Sequence, residues 1–364
     1  MDFTPSPSQQ LLIATARDVL RKHCPPETAQ RLALDARGFD DALWRRMAEL
    51  GWPGLLIPGD LGGSDGSVLD VILLVEEMGR AALPGPFVPS AVVATWLLVA
   101  AGGAGTPHRL LPGLASGDRI ATLALVEDDG SFDPRALALR CQAPGRLTGA
   151  KLFVKDAHVA TDLVVALAGG DVLVLPVDRS GITRLPLDTL SGDKLFEVRF
   201  DGVDVRAEDR IATPADALAA ALTAGTLART AEMVGAAQRV LDLTVEHAKT
   251  RVQGGRPIGG YQAIQHACAD LVRDVDCARG LLYLAAWKVS EGAPAEGDVA
   301  TAKAYAGEAC LTVARRAHQV FGAIGYCDEH PLHVLHKRIH AASVEYGNGA
   351  AHLETVARSI GLSP

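Results

Sequence analysis

The 364-residue sequence lacks both an excess of positive charge and a long hydrophobic run. Lys and Arg together number 35 against 43 Asp and Glu, so the formal net charge at pH 7 is -8. This balance disfavours nucleic acid as a partner, because the phosphate backbone attracts basic surfaces. The longest apolar stretch, within residues 89–103, supplies about a dozen uninterrupted apolar residues where a membrane helix needs about 20. We therefore predict neither a nucleic-acid partner nor a membrane span.

Cysteine is equally sparse, and the N-terminus lacks the features of a targeting segment. The six Cys are scattered along the chain without a CxxC pair, which argues against a zinc ribbon or a disulfide framework. An Asp stands near the start, and no Lys or Arg precedes an apolar run, unlike the charge order of a secretory signal. We therefore expect a cytoplasmic protein.

A run of histidines near the C-terminus is a candidate metal site. His333, His336 and His340 would share one face of a helix, at positions i, i+3 and i+7. The adjacent Lys337 and Arg338 would repel a cation, and no Glu follows with the spacing of a zinc protease. We therefore predict ordinary helix residues here and no metal ion.

Two common phosphate-binding signatures are missing as well. The Gly-rich segments lack the spacing of dinucleotide or Walker phosphate loops. Acid/base chemistry remains open, because Glu76, Glu77 and Glu345 lie in otherwise apolar segments with helical spacing.

What the sequence does contain is a change of pattern along the chain. Apolar residues recur with helical spacing over residues 6–105, and again from residue 215 to the end. Short β-rich runs closed by Gly, Asp and Pro turns lie between these regions. The order is therefore helical, then β, then helical with segments long enough for a bundle, which predicts an α+β protein.

Four segments, in order, resemble the acyl-CoA dehydrogenase family. They are residues 58–86, 146–167, 234–271 and 317–338. The resemblance implies an N-terminal helical domain at 1–117, a β-sandwich-like middle domain at 118–212 and a C-terminal four-helix bundle at 213–364. It also implies FAD as cofactor and α,β-dehydrogenation of an acyl-CoA thioester, in which a carboxylate removes the α proton as the β hydride passes to the flavin.

The same resemblance implies a set of FAD-binding residues. Arg251, in TRVQGGRP, matches the Arg that meets the cofactor diphosphate, and Gln262 matches the Gln of the helix that follows. Ser131 is retained from the flavin-contacting segment of the middle domain, and Asn348 completes the set. The segment that reaches the partner subunit's cofactor supplies Gln319, Val320, Phe321, Gly322 and Ala323.

This chain departs from the family at several positions. Gly254 stands where the family commonly has Phe, and Ala323 replaces the second Gly of a QxxGG segment. The family base is a Glu just before a Gly near the C-terminus, and that position holds Tyr346. Glu345 lies one residue earlier. A phenol with an ordinary pKa near 10 is mostly protonated at neutral pH, so we assign Glu345 as the candidate base.

Some family members carry the base early in the C-terminal domain instead. That position falls near Gly225 and Thr226, where no acid occurs before Glu232. Three readings follow. The chain is an active homodimer or tetramer using Glu345, or a non-catalytic FAD-binding and structural subunit of a heteromeric acyl-CoA dehydrogenase, or a flavin-dependent oxygenase relative. By resemblance the partners are an acyl-CoA substrate and an electron-transferring flavoprotein.

Overall fold

The computed structural model describes residues 4–102, 105–142 and 145–362. The chain folds into two compact units. The first contains Met1–Arg31, Val68–Leu83 and Thr226–Pro364, and the second contains Leu32–Ser67 and Pro84–Gly225. Each unit therefore draws on segments that are distant in sequence, and the bounds of the three expected domains stay a prediction.

The N-terminal third of the chain is helical. Its helices are α1 (Pro7–His23), α2 (Pro26–Leu34), α3 (Asp41–Glu49), α4 (Val68–Arg80), α5 (Thr95–Ala101) and α6 (Thr106–Ala115). Local chemistry defines the start of α1, because Ser6 and Gln9 exchange side-chain and backbone hydrogen bonds in a capping box. Asp40 caps α3 by accepting from two backbone N–H groups.

The middle of the chain forms two four-stranded sheets. The strands are β1 (Ala121–Ala124), β2 (Cys141–Gln142), β3 (Arg146–Lys155), β4 (Asp162–Ala166), β5 (Val172–Pro176), β6 (Ile182–Leu187), β7 (Leu195–Asp204) and β8 (Arg210–Ile211). One sheet has the order β1-β4-β5-β8, with β1 and β4 parallel, and the other has the antiparallel order β2-β3-β7-β6.

Both sheets contribute to one hydrophobic core. Leu163 and Leu173 of the first sheet join Leu147, Val198 and Phe200 of the second, and all are nearly inaccessible to solvent. Burying each such side chain stabilises the fold by roughly 1.5–3 kcal/mol. The middle region is therefore a β-sandwich, as expected.

The C-terminal region is helical apart from one short hairpin. It contains α7 (Ala217–Thr250), β9 (Val252–Gln253), β10 (Arg256–Pro257), α8 (Gln262–Ser290), α9 (Glu296–Phe321), α10 (Leu332–Val344) and α11 (Gly349–Ser359). In the first unit α9 packs against α8, α10 and α11, and α4 packs against α1 and α8. The helical, β, helical order confirms the predicted α+β class.

Two glycines bring α4 and α7 into backbone contact. A Cβ on Gly79 would lie 2.2 Å from the carbonyl oxygen of Glu232, and one on Gly235 would lie 1.8 Å from that of Glu76. Neither position can carry a side chain without separating the helices. This close approach places the polar side chains of α4 and α7 side by side. In the described part of the chain, no helix is long and apolar enough to cross a membrane.

Candidate active site

Helix α10 ends at Val344, immediately before Glu345, the candidate base, and Tyr346, which holds the family's base position. Glu345 has an extended backbone, with φ -69° and ψ 138°. Tyr346 has φ 59°, a left-handed conformation that is uncommon for residues other than glycine, and Gly347 follows at φ 102°. The chain thus turns sharply at this point, so a regular helical rotation does not relate the side chains of Glu345 and Tyr346.

The buried Lys303 of α9 holds this helix end. Its Nζ donates to the carbonyl oxygens of Ala342 and Glu345, the latter at 2.8 Å. Carbonyls at a helix end have no partner within the helix, so the lysine satisfies groups that would otherwise need water. Lys303 is 1% exposed, and burial lowers the pKa of its ammonium to about 7.

The carboxylate of Glu345 is held by an arginine. Its Oε2 lies 2.5 Å from Nη2 of Arg229 on α7, whose side chain is only 2% exposed. Arg229 also donates to Glu232 on the same helix, and Glu232 accepts from Arg338 on α10. We call this alternating series, Arg338 to Glu232 to Arg229 to Glu345, the ion-pair chain.

The ion-pair chain is balanced, with two positive and two negative side chains. Arg338 also donates to the backbone carbonyl of Leu83 at 2.9 Å, and Glu232 and Arg338 are each 5% exposed. A buried charge is stable only with such partners, and removing one member leaves an uncompensated charge at a cost of about 3–5 kcal/mol. Glu345 is therefore part of the structural framework of this unit as well as the candidate base.

Tyr346 keeps its proton. Its side chain is half-buried, and burial followed by the nearby charge of Glu345 raises the pKa of its phenol above the ordinary value. Its carbonyl oxygen lies 3.1 Å from Nε2 of His352, which ties the turn to α11. The residue at the family's base position is therefore a neutral phenol rather than a proton acceptor.

The alternative base position offers no carboxylate. Thr226 is buried in α7, and its carbonyl oxygen accepts the hydroxyl of Thr230 at 2.7 Å. The first acid after it on this helix is Glu232, which is shared between Arg229 and Arg338. The sequence contains a signal for these buried charges: Arg229 and Glu232 lie three residues apart in an otherwise Ala-rich helix. The sequence analysis did not predict their pairing.

Arg251 and the segment from Gln319 to Ala323, both predicted to bind FAD, lie at one end of the helical unit. Phe321, the last residue of α9, stacks on His247 at a ring-centroid distance of 4.4 Å. Arg251 lies one turn beyond His247, and burial together with the charge of Arg251 lowers the pKa of that imidazole. This stack therefore brings the segment from Gln319 to Ala323 close to the end of α7.

This end of the unit fits the anionic diphosphate of FAD. The Arg251 side chain is exposed, and within the described ranges its guanidinium has no hydrogen-bond or ion-pair partner. Helix α8 begins at the exposed Gln262 without a side-chain cap, so no capping side chain occupies the N–H groups of its first turn. A free guanidinium and an uncapped helix N-terminus are both donors that phosphate prefers.

The hairpin between α7 and α8 explains the Gly found at position 254. Gly254 has φ 60°, and a Cβ there would lie 2.3 Å from the hydroxyl of Tyr261. That hydroxyl donates to the carbonyl of Gln253 at 3.0 Å, and the guanidinium of Arg256 lies 4.1 Å from the centre of the Tyr261 ring. Tyr261 thus provides an aromatic ring in this hairpin, from a different position than the family's Phe.

Three other predicted contacts have separate local roles. Ser131 lies in a turn of the second unit, where its hydroxyl accepts from the backbone N–H of Asp133 at 3.0 Å. Asn348 caps α11 by accepting from Ala351 at 3.0 Å. Val320 is buried, whereas Gly322 and Ala323 are exposed. Their contacts with FAD stay predictions.

Two of the three histidines of α10 contact groups outside that helix. His336 lies 5.0 Å from His318 of α9, and burial lowers the pKa of its imidazole to about 4. His333 lies against the backbone carbonyl of Asp328. Among the residues that the structure describes, no group of His, Cys, Asp or Glu could hold a metal ion.

Both helical regions of the chain match models of one known protein family. The acyl-CoA dehydrogenase N-terminal domain matches residues 6–118, and the acyl-CoA dehydrogenase C-terminal domain matches residues 216–361. Acyl-CoA dehydrogenase IpdE2 of Mycobacterium tuberculosis is 31% identical over 94% of this chain and 93% of its own. Acyl-CoA dehydrogenase FadE27 of the same organism is 30% identical over the full length of both.

A solved structure agrees with these sequence matches. A chain of the ChsE4-ChsE5 complex from Mycobacterium tuberculosis superposes with a TM-score of 0.90, at 30% identity and with full coverage of both chains. Sequence and fold thus lead to one conclusion. The chain belongs to the acyl-CoA dehydrogenase family, whose members are flavin oxidoreductases that use FAD to dehydrogenate acyl-CoA thioesters.

Proposed function

We propose that this chain acts in acyl-CoA dehydrogenation as the subunit without its own base, and that a second acyl-CoA dehydrogenase chain supplies the carboxylate. The observation that carries the proposal is the pairing of Glu345 with the buried Arg229. A carboxylate bound to a guanidinium is a weak proton acceptor, because the ion pair favours its charged form. The protonated Tyr346 cannot replace it.

The contribution of this chain is then to hold the cofactor and the fold. Arg251 and the first N–H groups of α8 bind the diphosphate, and the segment from Gln319 to Ala323, exposed at Gln319, Gly322 and Ala323, faces the cofactor shared with a partner subunit. FAD, when bound, accepts the β hydride of the acyl-CoA. The stacked pair of His247 and Phe321 holds the end of α7, which carries Arg251, against that segment.

A heteromer is also consistent with one relative. The solved structure that is 30% identical to this chain is described as a complex of ChsE4 and ChsE5. The geometry here gives a physical reason for such an arrangement, since a chain whose candidate carboxylate is neutralised needs another chain for proton removal. An electron-transferring flavoprotein then receives the electrons, as we infer from the family.

Co-expression tests the proposal. The chain is produced alone and together with a companion acyl-CoA dehydrogenase chain, and each product is assayed for molar mass and acyl-CoA-dependent reduction of an electron-accepting dye. We expect the chain alone to have negligible activity and the mixed complex to be active. In that complex Glu345→Gln should leave kcat within about twofold, because no proton transfer passes through this residue.

The homomeric reading makes the opposite prediction. It is favoured by the partial exposure of the Glu345 side chain, 19%, which leaves a route for the carboxylate to reach a substrate. If the chain alone is fully active and Glu345→Gln lowers kcat by about 10²–10⁴-fold, Glu345 is the base and the heteromeric proposal is wrong. Retained FAD absorbance in the variant ensures that lost chemistry, rather than lost cofactor, is measured.

A further inference from the structure

A cavity of about 380 Å³ lies in the first unit, among α1, α4, α7 and α10. Apolar groups cover much of its wall, contributed by Leu20, Cys24, Ala29, Val334 and Leu335. Val334 is near the start of α10, roughly 15 Å along the helix from Glu345 at its other end. No member of the ion-pair chain and no predicted FAD residue lines the cavity, so it is separate from the site described above.

Four arginines also line this cavity, and three of them are neutralised. Arg17 forms a two-pronged pair with the carboxylate of Glu77, at 2.6 and 3.0 Å. Arg21 pairs with Asp18 at 2.8 Å, and Arg80 pairs with Asp242. These pairs leave one arginine, Arg239 of α7, to be accounted for.

Arg239 has no ion-pair or hydrogen-bond partner for its guanidinium in the described part of the chain, although the side chain is half-buried. The charge of Asp242 attracts it, but Oδ1 of Asp242 accepts from Gln238 at 2.9 Å and Oδ2 accepts from Arg80. Burial, followed by the charge of Arg80, lowers the pKa of Arg239. A half-buried cation beside another cation is unfavourable, and a bound anion would relieve it.

We propose that this cavity binds an amphipathic monocarboxylate. The carboxylate pairs with Arg239, and a short apolar body lies against Leu20, Cys24 and Leu335. A single negative charge fits because one lining cation is left unbalanced, and a guanidinium can bind both carboxylate oxygens at once. The volume lies within the range typical of small-molecule sites.

Calorimetry with octanoate on the FAD-loaded protein tests the charge requirement. Octanamide has the same tail without the charge, and acetate has the charge without the tail. We expect octanoate to bind and both analogues to bind at least about tenfold more weakly, since a charge-assisted hydrogen bond and apolar burial are each lost. Failure of octanoate to bind, or equal affinity for octanamide, overturns the proposal.

Two variants assign the site. Arg239→Gln should weaken octanoate binding by about tenfold or more, and Arg239→Lys should retain much of it, because the positive charge remains. Arg21→Gln is the matched control, since Arg21 lines the same cavity but is 74% exposed and paired with Asp18. Equal octanoate affinity in Arg239→Gln and wild type would place the ligand elsewhere.

Cys24 reports occupancy of the cavity directly. Its side chain is 2% exposed and lines the cavity wall, whereas Cys277 is exposed on α8. Octanoate should slow alkylation of Cys24 by iodoacetamide several-fold, as followed by peptide mass spectrometry, and leave Cys277 unchanged. Protection should vanish in Arg239→Gln and persist in Arg239→Lys. An unchanged Cys24 rate at saturating octanoate contradicts the proposal even if octanoate binds elsewhere.

Discussion

The charged side chains at the two ends of the helical unit differ in whether the chain itself supplies their partners. Beside the end of α10, Arg229, Glu232, Arg338 and Glu345 neutralise one another in the protein interior. At the end of α7, Arg251 is exposed with no described partner. We call the first region the paired end and the second the exposed end. The first arrangement needs no ligand to be stable, whereas the second gains stability when an anion binds. Charge pairing within the chain thus separates structural from ligand-binding polar groups.

The largest expected effect is on the paired end. Replacing Arg229 by Met removes a cation shared by two carboxylates, and it should lower the free energy of unfolding by about 3–5 kcal/mol. Urea denaturation followed by circular dichroism measures this. Arg251→Met is the matched control, and should change stability by less than about 0.5 kcal/mol because the side chain is exposed. Equal losses in the two variants would remove the distinction between the ends.

The second prediction concerns Lys303, which supports the paired end. Its pKa is about 7 when folded and 10.5 for the free side chain, so the unfolded state binds more protons between these values. The free energy of unfolding should therefore rise as pH increases from 7 toward 10, with this residue contributing up to about 1.4 kcal/mol per pH unit.

Lys303→Met removes that contribution. Denaturation at pH 7, 8 and 9 should show a shallower rise in the variant than in wild type, even though the variant also loses the hydrogen bonds to Ala342 and Glu345. The exposed Lys249 provides the control, because Lys249→Met should keep the wild-type slope. Parallel slopes in wild type and Lys303→Met would show that the buried ammonium does not titrate in this range.

The smallest expected effect in free energy belongs to the exposed end. Arg251→Gln should weaken FAD binding by about tenfold, close to 1.4 kcal/mol, through loss of one charge-assisted contact with the diphosphate. Flavin fluorescence during titration of the apoprotein measures the dissociation constant. Lys249→Gln removes an equal charge two residues away and should change it far less. If both variants weaken binding equally, general charge attraction rather than a specific contact holds the cofactor.

Sequence analysis predicted what depends on neighbouring residues. Helical spacing and turn residues gave the helical, β, helical order, and the motif around Arg251 and Gln262 is local to one helix end and the next. Family membership then confirmed the flavin cofactor and the reaction class. The element order and the Arg251 motif could be predicted because each depends on residues close together in sequence.

The pairing of Glu345 could not be predicted in this way. Its partner Arg229 lies on another helix, more than a hundred residues earlier, and a count of charges does not show which side chains meet. The same applies to Arg239, whose significance lies in Asp242 being occupied by Gln238 and Arg80. Identifying either requires the packing of α4, α7 and α10, which the hydrophobic pattern alone does not determine.

The ion-pair chain also constrains how this chain could regain the family's carboxylate. A Glu introduced at position 346 would stand directly beside Glu345, and two adjacent carboxylates disfavour each other's ionisation. Removing Glu345 at the same time would take one carboxylate from the buried Arg229 and leave it the carboxylate of Glu232, which Arg338 shares. Restoration by single substitutions therefore passes through either repulsion between two carboxylates or a buried cation that has lost one of its partners. The present arrangement is therefore easier to retain than to reverse.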